Sequence, residues 1–452
     1  MGSSLWTLLR VLRERGAQER SSRWTRAQLL AHQAKLLTTL RRIAAERSPF
    51  YREFHRGFER APLEELPILT KAILMERFDD LVTDRGIRLV DAEAYLNAAE
   101  PGLFRDRYVV LATSGSTGRR GVFVFDDHEW IRAIAAITRP ISWVSRARKS
   151  RRPPRAALIA AAAPWHYSAR VGAALANRVA PALRLDAGSP IPELVERLNE
   201  WQPEAIATYP SVLRQLAAEQ LAGRLSVPLA HVATSAEVLT AQVRAIVRRA
   251  WSVEVQDTYG ATEYAPIASE CLERRMHLFE NGAIIEVVDE RGRVVPSGER
   301  GARLLLTVLA RYTQPLIRYE LSDLVRVSEE PCPCGRPYRV IDAIDGREED
   351  VLEFPGRDGR LIAVHPNRFH DALERASLVA WQVEQGPPGL LVRLVGASTV
   401  TAAAVESDIR TLLTTLGIEA PAIEIRLVGE LERGRSGKAP LIVARSSRQA
   451  TT

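Results

Sequence analysis

Cysteine is scarce: three thiols in 452 residues cannot make a disulfide framework, and in a reducing compartment they are buried thiols or metal ligands. Long hydrophobic runs are lacking too. The longest, residues 156–165, falls well short of the roughly 20 residues a bilayer-crossing helix needs, so no membrane span is expected. The opening MGSSLWTLLRVLRERG sets arginines inside and after a short apolar stretch, with no small-residue cleavage site behind it. No secretory leader is expected, and the location expected is cytoplasmic. No internal repeat or low-complexity segment is present, so a repeat architecture is not expected. Charge of one sign is not in large excess either, with 62 Lys and Arg against 55 Asp and Glu and a net charge of +7. Its one dense run, RARKSRRPPR at 146–155, sits beside two prolines and reads as a solvated loop, so no nucleic-acid partner is expected.

What is present is enough apolar residue, 46%, for a large core and a second module. Leu29, Leu30, Leu36, Leu37, Leu40 and Ile43 gather on one helical face within 26–45, and Thr70 behind Pro67 is a plausible N-cap for a further helix. From about residue 156 short apolar runs at 157–163, 205–209, 231–235 and 253–257 alternate with helical patterns. Ser211 and Thr240 are the caps expected for two of those helices. The alternation predicts a layered α/β architecture with a largely parallel sheet. Residues 283–309 instead hold two β-rich stretches broken by glycine and proline, as in antiparallel strands. After about Gly346 the chain reads as a small α+β module, with strands at 390–396 and 423–429 around a helix.

Two motifs carry chemistry. The first, Thr113, Ser114, Gly115, Ser116, Thr117 and Gly118, follows the apolar YVVLA and precedes Arg119, Arg120 and Gly121. Hydroxyls and glycine-freed amides can wrap nucleotide phosphates and the arginines add charge, although the lysine spacing of a Walker loop is missing. A plain Ser/Gly turn is the alternative. The second is Asp257-Thr258-Tyr259-Gly260-Ala261-Thr262-Glu263 at a strand end. Strand C-termini bind ligands in open α/β sheets, and an aromatic ring, a hydroxyl and a carboxylate there suit adenine, phosphate and Mg2+.

Together these motifs resemble the adenylate-forming, or AMP-binding, superfamily of acyl-CoA synthetases. SPFYREF (48–54), LPILTK (66–71), TYPSVLRQLA (208–217) and PCPCGR (331–336) look like its phenylacetate-CoA ligase group, with capsule-cluster and coenzyme-F390-synthetase-like relatives. The likeness covers nearly the whole chain. It implies a large N-terminal AMP-binding domain at 1–345 with an antiparallel β subregion, a hinge at 346–350 and a small mobile C-terminal lid at 351–452. It also implies that Thr113 to Gly118 lie over the β- and γ-phosphates, with Arg119 and Arg120 where lysine and proline are commoner. Ser235, Ala236 and Glu237 resemble the adenine-side turn; Tyr259, beside Asp257 and Gly260, would stack on adenine; Thr262 would contact the α-phosphate and Glu263 hold Mg2+. Asp323 matches the ribose-binding aspartate, with Ser322 replacing the usual glycine, and Arg347 matches the hinge arginine. Lys438, in Arg435-Ser436-Gly437-Lys438, resembles the catalytic lysine of adenylation. Asp323 and Lys438, taken singly, are equally readable as solvated surface charges.

The cysteines fall into place here. Cys332 and Cys334 share one turn, and Cys271 lies shortly before His277. Three thiolates and an imidazole are the tetrahedral complement of structural zinc, and the resembling relatives share such a site; two unrelated buried-thiol regions are the alternative. Trp165, His166 and Tyr167, with Tyr209 after the next strand, stand where relatives line the acyl pocket and favour an aryl acid, or else they are packing. The resemblance therefore implies ATP-dependent activation of an aryl or arylacetic acid to an acyl-adenylate, then transfer to coenzyme A, in a chain compatible with a homodimer. Transfer to an amine, a hydroxyl or a carrier-protein thiol is the second expectation, motivated by FPGRDGRLIAVHPNRF (354–369), which departs from the commoner pattern. A nucleotide-binding protein without turnover is the third.

Overall fold

Local sequence sets the N-terminal helices. Thr25 and Gln28 form a reciprocal capping box at the start of helix Arg26–Arg47, satisfying two backbone donors that a helix leaves open. Thr70 caps Lys71–Glu76 and Thr240 caps Ala241–Trp251, each through its hydroxyl. Ser211 does not cap. In helix Pro210–Leu221 it is the second residue, and its backbone N–H donates to the Glu237 carboxylate at 3.0 Å.

The computed structural model describes residues 4–98, 102–113, 120–145, 154–175, 182–347, 350–357, 359–373, 376, 378, 380–386, 389–419, 421–431 and 441–444. Its strands, in chain order, are β1 Val109–Ala112, β2 Val122–Phe125, β3 Ala156–Ala160, β4 Ala182–Asp186, β5 Ala205–Thr208, β6 His231–Ser235, β7 Val255–Tyr259, β8 Ala268–Glu270, β9 Met276–Leu278 and β10 Ala283–Val288. They continue as β11 Arg303–Val308, β12 Tyr319–Leu321, β13 Asp323–Val327, β14 Val340–Arg347, β15 Leu352–Pro355, β16 Leu361–Val364, β17 Ala380–Gly386, β18 Gly389–Val395, β19 Ala422–Val428 and β20 Ile442–Val443.

The main sheet has nine strands in the order β13-β14-β9-β8-β7-β6-β5-β3-β4. Only β4, β3, β5, β6 and β7 run parallel to one another. The sheet is thus mixed rather than largely parallel, because the links β7 to β8 and β8 to β9 are too short for a crossover and force antiparallel pairing. Chain order reverses between β3 and β5, the switch point at which open α/β sheets form a crevice. The strand expected over 253–257 is shifted to Val255–Tyr259, since Ser252 closes the preceding helix in the left-handed region (φ 58°).

β10, β11 and β12 form the expected antiparallel sheet. Beyond β14, residues Leu352 to Ile442 have a core of their own around Trp381, Val392, Val405 and Ile409. There β19-β18-β17-β20 pack with helix Thr399–Thr415. This part meets the large one at Ala376 and Leu378, where Arg214 donates to the Leu378 carbonyl and Gln242 to that of Ala376. Among the described residues no helix is long and apolar enough to cross a membrane.

Candidate active site

β1 and β2 pair as a hairpin whose neck is closed from both sides: Thr113 N–H donates to the Gly121 carbonyl at 3.0 Å, and Gly121 N–H to the Thr113 hydroxyl at 2.9 Å. Gly121 has no room for a side chain, since a Cβ there would meet the Phe123 ring at 2.9 Å. The first motif leaves from this pinned neck. Ser114, Gly115, Ser116, Thr117, Gly118 and Arg119 lie outside the described residues, as does Lys438. Arg120 sets its guanidinium 5.0 Å from the Trp165 ring, and the Trp165 carbonyl accepts from Ala112 N–H.

The second motif sits at the carboxyl end of β7, where the turn after Tyr259 folds back through Ile267 N–H to the Tyr259 carbonyl at 2.9 Å. Glu263 is buried in this turn, and Tyr319 of β12 donates its hydroxyl to the Glu263 Oε1 at 3.1 Å. Burial and the neighbouring Glu263 hold the Tyr319 hydroxyl well above its ordinary pKa, so it stays a donor.

Arg311 joins the β1/β2 hairpin to the second motif. Its Nη1 donates to the Glu263 carbonyl at 2.8 Å, while Nη2 reaches the Val124 carbonyl of β2 at 3.2 Å and Gln314 Oε1 at 2.9 Å. Its guanidinium lies 4.0 Å from the Phe125 ring centroid. Burial lowers its pKa to about 10, opposed by Glu129 and Glu263, so it remains a cation at neutral pH. Gln314 bonds β2 again, accepting from Val124 N–H and donating to the Val122 carbonyl. Arg311 has no motif of its own, its sequence signal being a lone arginine at the end of the apolar run LLLTVLA, whereas Tyr319 stands in the stretch Arg318-Tyr319-Glu320-Leu321-Ser322-Asp323 that carries Asp323.

Other expected residues are placed as follows. Asp323 opens β13 directly opposite Arg347, the last residue of β14. Glu348 and Glu349 lie outside the described residues. Gly346 takes φ 101°, a conformation that excludes most side chains, and a Cβ there would also press on Pro366 at 3.0 Å. Ser235 ends β6, Ala236 is left-handed (φ 71°), and Glu237 turns back to cap the helix at Ser211. Asp257 takes the Thr234 hydroxyl at 2.7 Å, and its own N–H donates to Glu270, which is paired with Arg244 at 2.6 Å. Tyr209 lies at the β3/β5 switch point, where its hydroxyl accepts from Ala161 N–H at 3.0 Å. Tyr167 donates to the Ala265 carbonyl and packs edge-on against Trp130. His166 follows Trp165 with its N–H on the Ala163 carbonyl. A cavity of about 60 Å³ beside Glu263 is walled by Phe125, Tyr167, Tyr264 and Phe279, with Glu129 and Arg311 among its polar atoms.

On the other side of Phe279, Cys271, His277, Cys332 and Cys334 turn their ligand atoms to within 4.8 Å of one another. Cys334 Sγ is 3.2 Å from His277 Nε2, and Cys271 Sγ is 3.7 Å from Cys332 Sγ. His277 Nδ1 lies 3.3 Å from the Tyr338 carbonyl, which orients Nε2 toward the thiols. Burial pushes the His277 pKa down to about 4, leaving the neutral imidazole a metal requires. Trp143, Phe279 and Tyr338 surround the group. The donor set fits zinc, with all four positions filled by protein.

Comparison with known proteins follows the same lines. The family model described as AMP-binding enzyme matches residues 55–305. A phenylacetate-coenzyme A ligase of Thermus thermophilus is 30% identical over 184 residues, 39% of this chain and 40% of that protein. Protein CapK of Staphylococcus aureus is 22% identical over 305 residues, 65% of this chain and 60% of CapK. The chain thus spans between about 40% and 60% of the length of these curated relatives. Among solved structures, 2-hydroxyisobutyryl-CoA ligase in the postadenylation state, in complex with 2-HIB-AMP, superposes with a TM-score of 0.71 at 23% identity, covering 95% of this chain and 92% of that one. The same enzyme in the thioesterification state superposes with 0.57 at 22% identity, covering 95% and 93%.

Proposed function

Because this chain belongs to the AMP-binding enzyme family, we propose that it activates a carboxylic acid with ATP and passes the acyl group to coenzyme A. The observation that carries this reading is the bridge made by Arg311. It holds the hairpin bearing the phosphate-loop motif against the turn bearing Glu263, while Tyr319, just upstream of Asp323, holds the Glu263 carboxylate. The hairpin, the Glu263 turn and the strand that precedes Asp323 are thereby tied together through one buried arginine and one tyrosine.

In this reading Tyr259 stacks on adenine, Asp323 takes the ribose hydroxyls with Arg347 beside it, and Thr262 holds the α-phosphate. Glu263 holds a Mg2+, which when bound neutralises phosphate charge. An oxygen of the substrate carboxylate forms the new bond to the α-phosphorus as the bond to pyrophosphate breaks. The Lys438 ammonium offsets the negative charge that gathers there. The coenzyme A thiolate then attacks the acyl carbon and AMP leaves. The phenylacetate-coenzyme A ligases among the relatives support an aryl or arylacetic acid. The better match to the postadenylation state than to the thioesterification state supports a small domain that changes position between the half-reactions. Zn2+ on Cys271, His277, Cys332 and Cys334 would be structural.

ATP–pyrophosphate exchange across a panel of acids is the test. Exchange with at least one aryl acid is expected, falling by about 100-fold or more in Glu263→Gln and Lys438→Ala. No exchange with any acid, or a Lys438→Ala variant that exchanges like wild type, overturns the reading. Mass spectrometry of reactions given coenzyme A, an amine, an alcohol or a carrier-protein thiol then reads the acceptor.

A further inference from the structure

Helix Ser4–Arg20 packs on helix Asp127–Ser145. Its inner face is Thr7, Val11 and Gln18, all buried, with Gln18 Nε2 on the Arg132 carbonyl at 3.1 Å. The outer face is different. Trp6, Leu9, Leu12, Arg13, Gly16 and Arg20 recur at helical spacing along one stripe, and every one of them is exposed. Trp6 is 58% exposed, Leu9 51% and Leu12 42%. The two acids of the helix are turned elsewhere: Glu14 lies 3.6 Å from Arg132, and Glu19 accepts from Trp143 Nε1 at 3.1 Å. The stripe therefore has three bulky apolar side chains at its start, two guanidinium groups further on, and no carboxylate.

We propose that this stripe docks the protein on an anionic lipid surface, with Trp6, Leu9 and Leu12 entering the headgroup boundary and Arg13 and Arg20 meeting lipid phosphates. Such a helix lies in the interface and does not cross it, the mode expected of an amphipathic segment with Trp and Leu on one side and arginine in place of acid. A second copy of the chain fits the stripe poorly on two counts. A helix of this length is about 25 Å long, so a strip about 10 Å wide offers roughly 250 Å², against about 800 Å² per partner in a stable dimer. An isologous pairing would also set arginine against arginine with no acid to answer it. The inference does not depend on the catalytic reading.

Co-sedimentation of the full chain with vesicles tests it. Vesicles of equal parts phosphatidylglycerol and phosphatidylcholine should pellet the protein at low salt. Pure phosphatidylcholine should not, and raised salt should release it. Trp6→Ser with Leu9→Ser, and separately Arg13→Glu with Arg20→Glu, should each weaken binding more than tenfold. All four positions are on the surface, so circular dichroism should be unchanged, and pyrophosphate exchange in solution should match wild type. Failure to pellet with the anionic vesicles at low salt, or pelleting that both double variants leave intact, overturns the proposal. So does a light-scattering dimer that Leu9→Glu splits, or capture of an acidic protein on the stripe, where vesicle binding is absent.

Discussion

At the scale of the residue, Asp257 is an acid in a place that supplies little water. The Thr234 hydroxyl donates to it, but the Glu270 carboxylate is close by and Arg244 is already paired with that glutamate. Burial chiefly, and then Glu270, push the Asp257 carboxyl up to about 7 from the ordinary 3.8. Between those two values the folded chain keeps a proton that the unfolded chain gives up. Stability is therefore greatest below the lower value and declines as pH rises through the window, by up to about 1.4 kcal/mol per pH unit. Asp257→Asn keeps an acceptor for Thr234 and removes the charge. It should be more stable than wild type near neutral pH, with the difference shrinking as pH falls and vanishing below the lower value, as read from denaturant midpoints across that range; a constant difference at all pH values would contradict the assignment. In the sequence Asp257 and Glu263 look alike, two acids in one motif. They part because Asp257 lies on the strand, where alternation directs it toward Thr234, whereas Glu263 lies in the turn beyond.

Elements were legible where their signals were local. Thr70 and Thr240 cap their helices as expected because each needs only the next turn of its own chain. Ser211 has the same signature, yet a carboxylate from the turn after β6 takes the helix N-terminus instead, which no local pattern can show. The antiparallel half of the main sheet was missed for a related reason: β8 and β9 are three residues each, too short for a period to register. Arg311 is the strongest case of a long-range link, since it couples β2, the Glu263 turn and Gln314. Arg311→Met would remove those donors and leave Glu129 and Glu263 without their shared cation, a loss of about 3–5 kcal/mol. Pyrophosphate exchange should fall with it, because the hairpin and the turn would no longer be held together. Arg311→Lys keeps the charge without the planar fork and should fall between wild type and Met in both denaturation and exchange. Equal damage from Lys and Met would mean that geometry alone, not the buried charge, sets the effect.

On the scale of the whole molecule, the cysteine and histidine group gathers parts that the sheet alone does not join. Cys271 and His277 belong to the β8/β9 hairpin, Cys332 and Cys334 to the turn before β14, and the same cluster packs Leu29 and Trp24 of the N-terminal region with Trp143. Glu280 adds to the join: burial would raise its pKa, but Arg339 and Arg26 hold it below the usual carboxylate range, with contacts at 2.9 and 2.6 Å. Composition could name the four ligands because the chain has few cysteines to choose from; it could not say that their neighbours are the first helices. A metal here would therefore tie the N-terminal region to the edge of the main sheet as well as close a turn. Protein purified without chelator should carry about one zinc per chain by elemental analysis. Removal with phenanthroline should lower the first thermal transition by on the order of 10 °C and expose Trp143 to quenchers. Cys332→Ser should reproduce both effects without chelator. Zinc at background level, together with a transition that chelation does not move, would leave the four side chains as a buried polar cluster whose hydrogen bonds alone hold that edge.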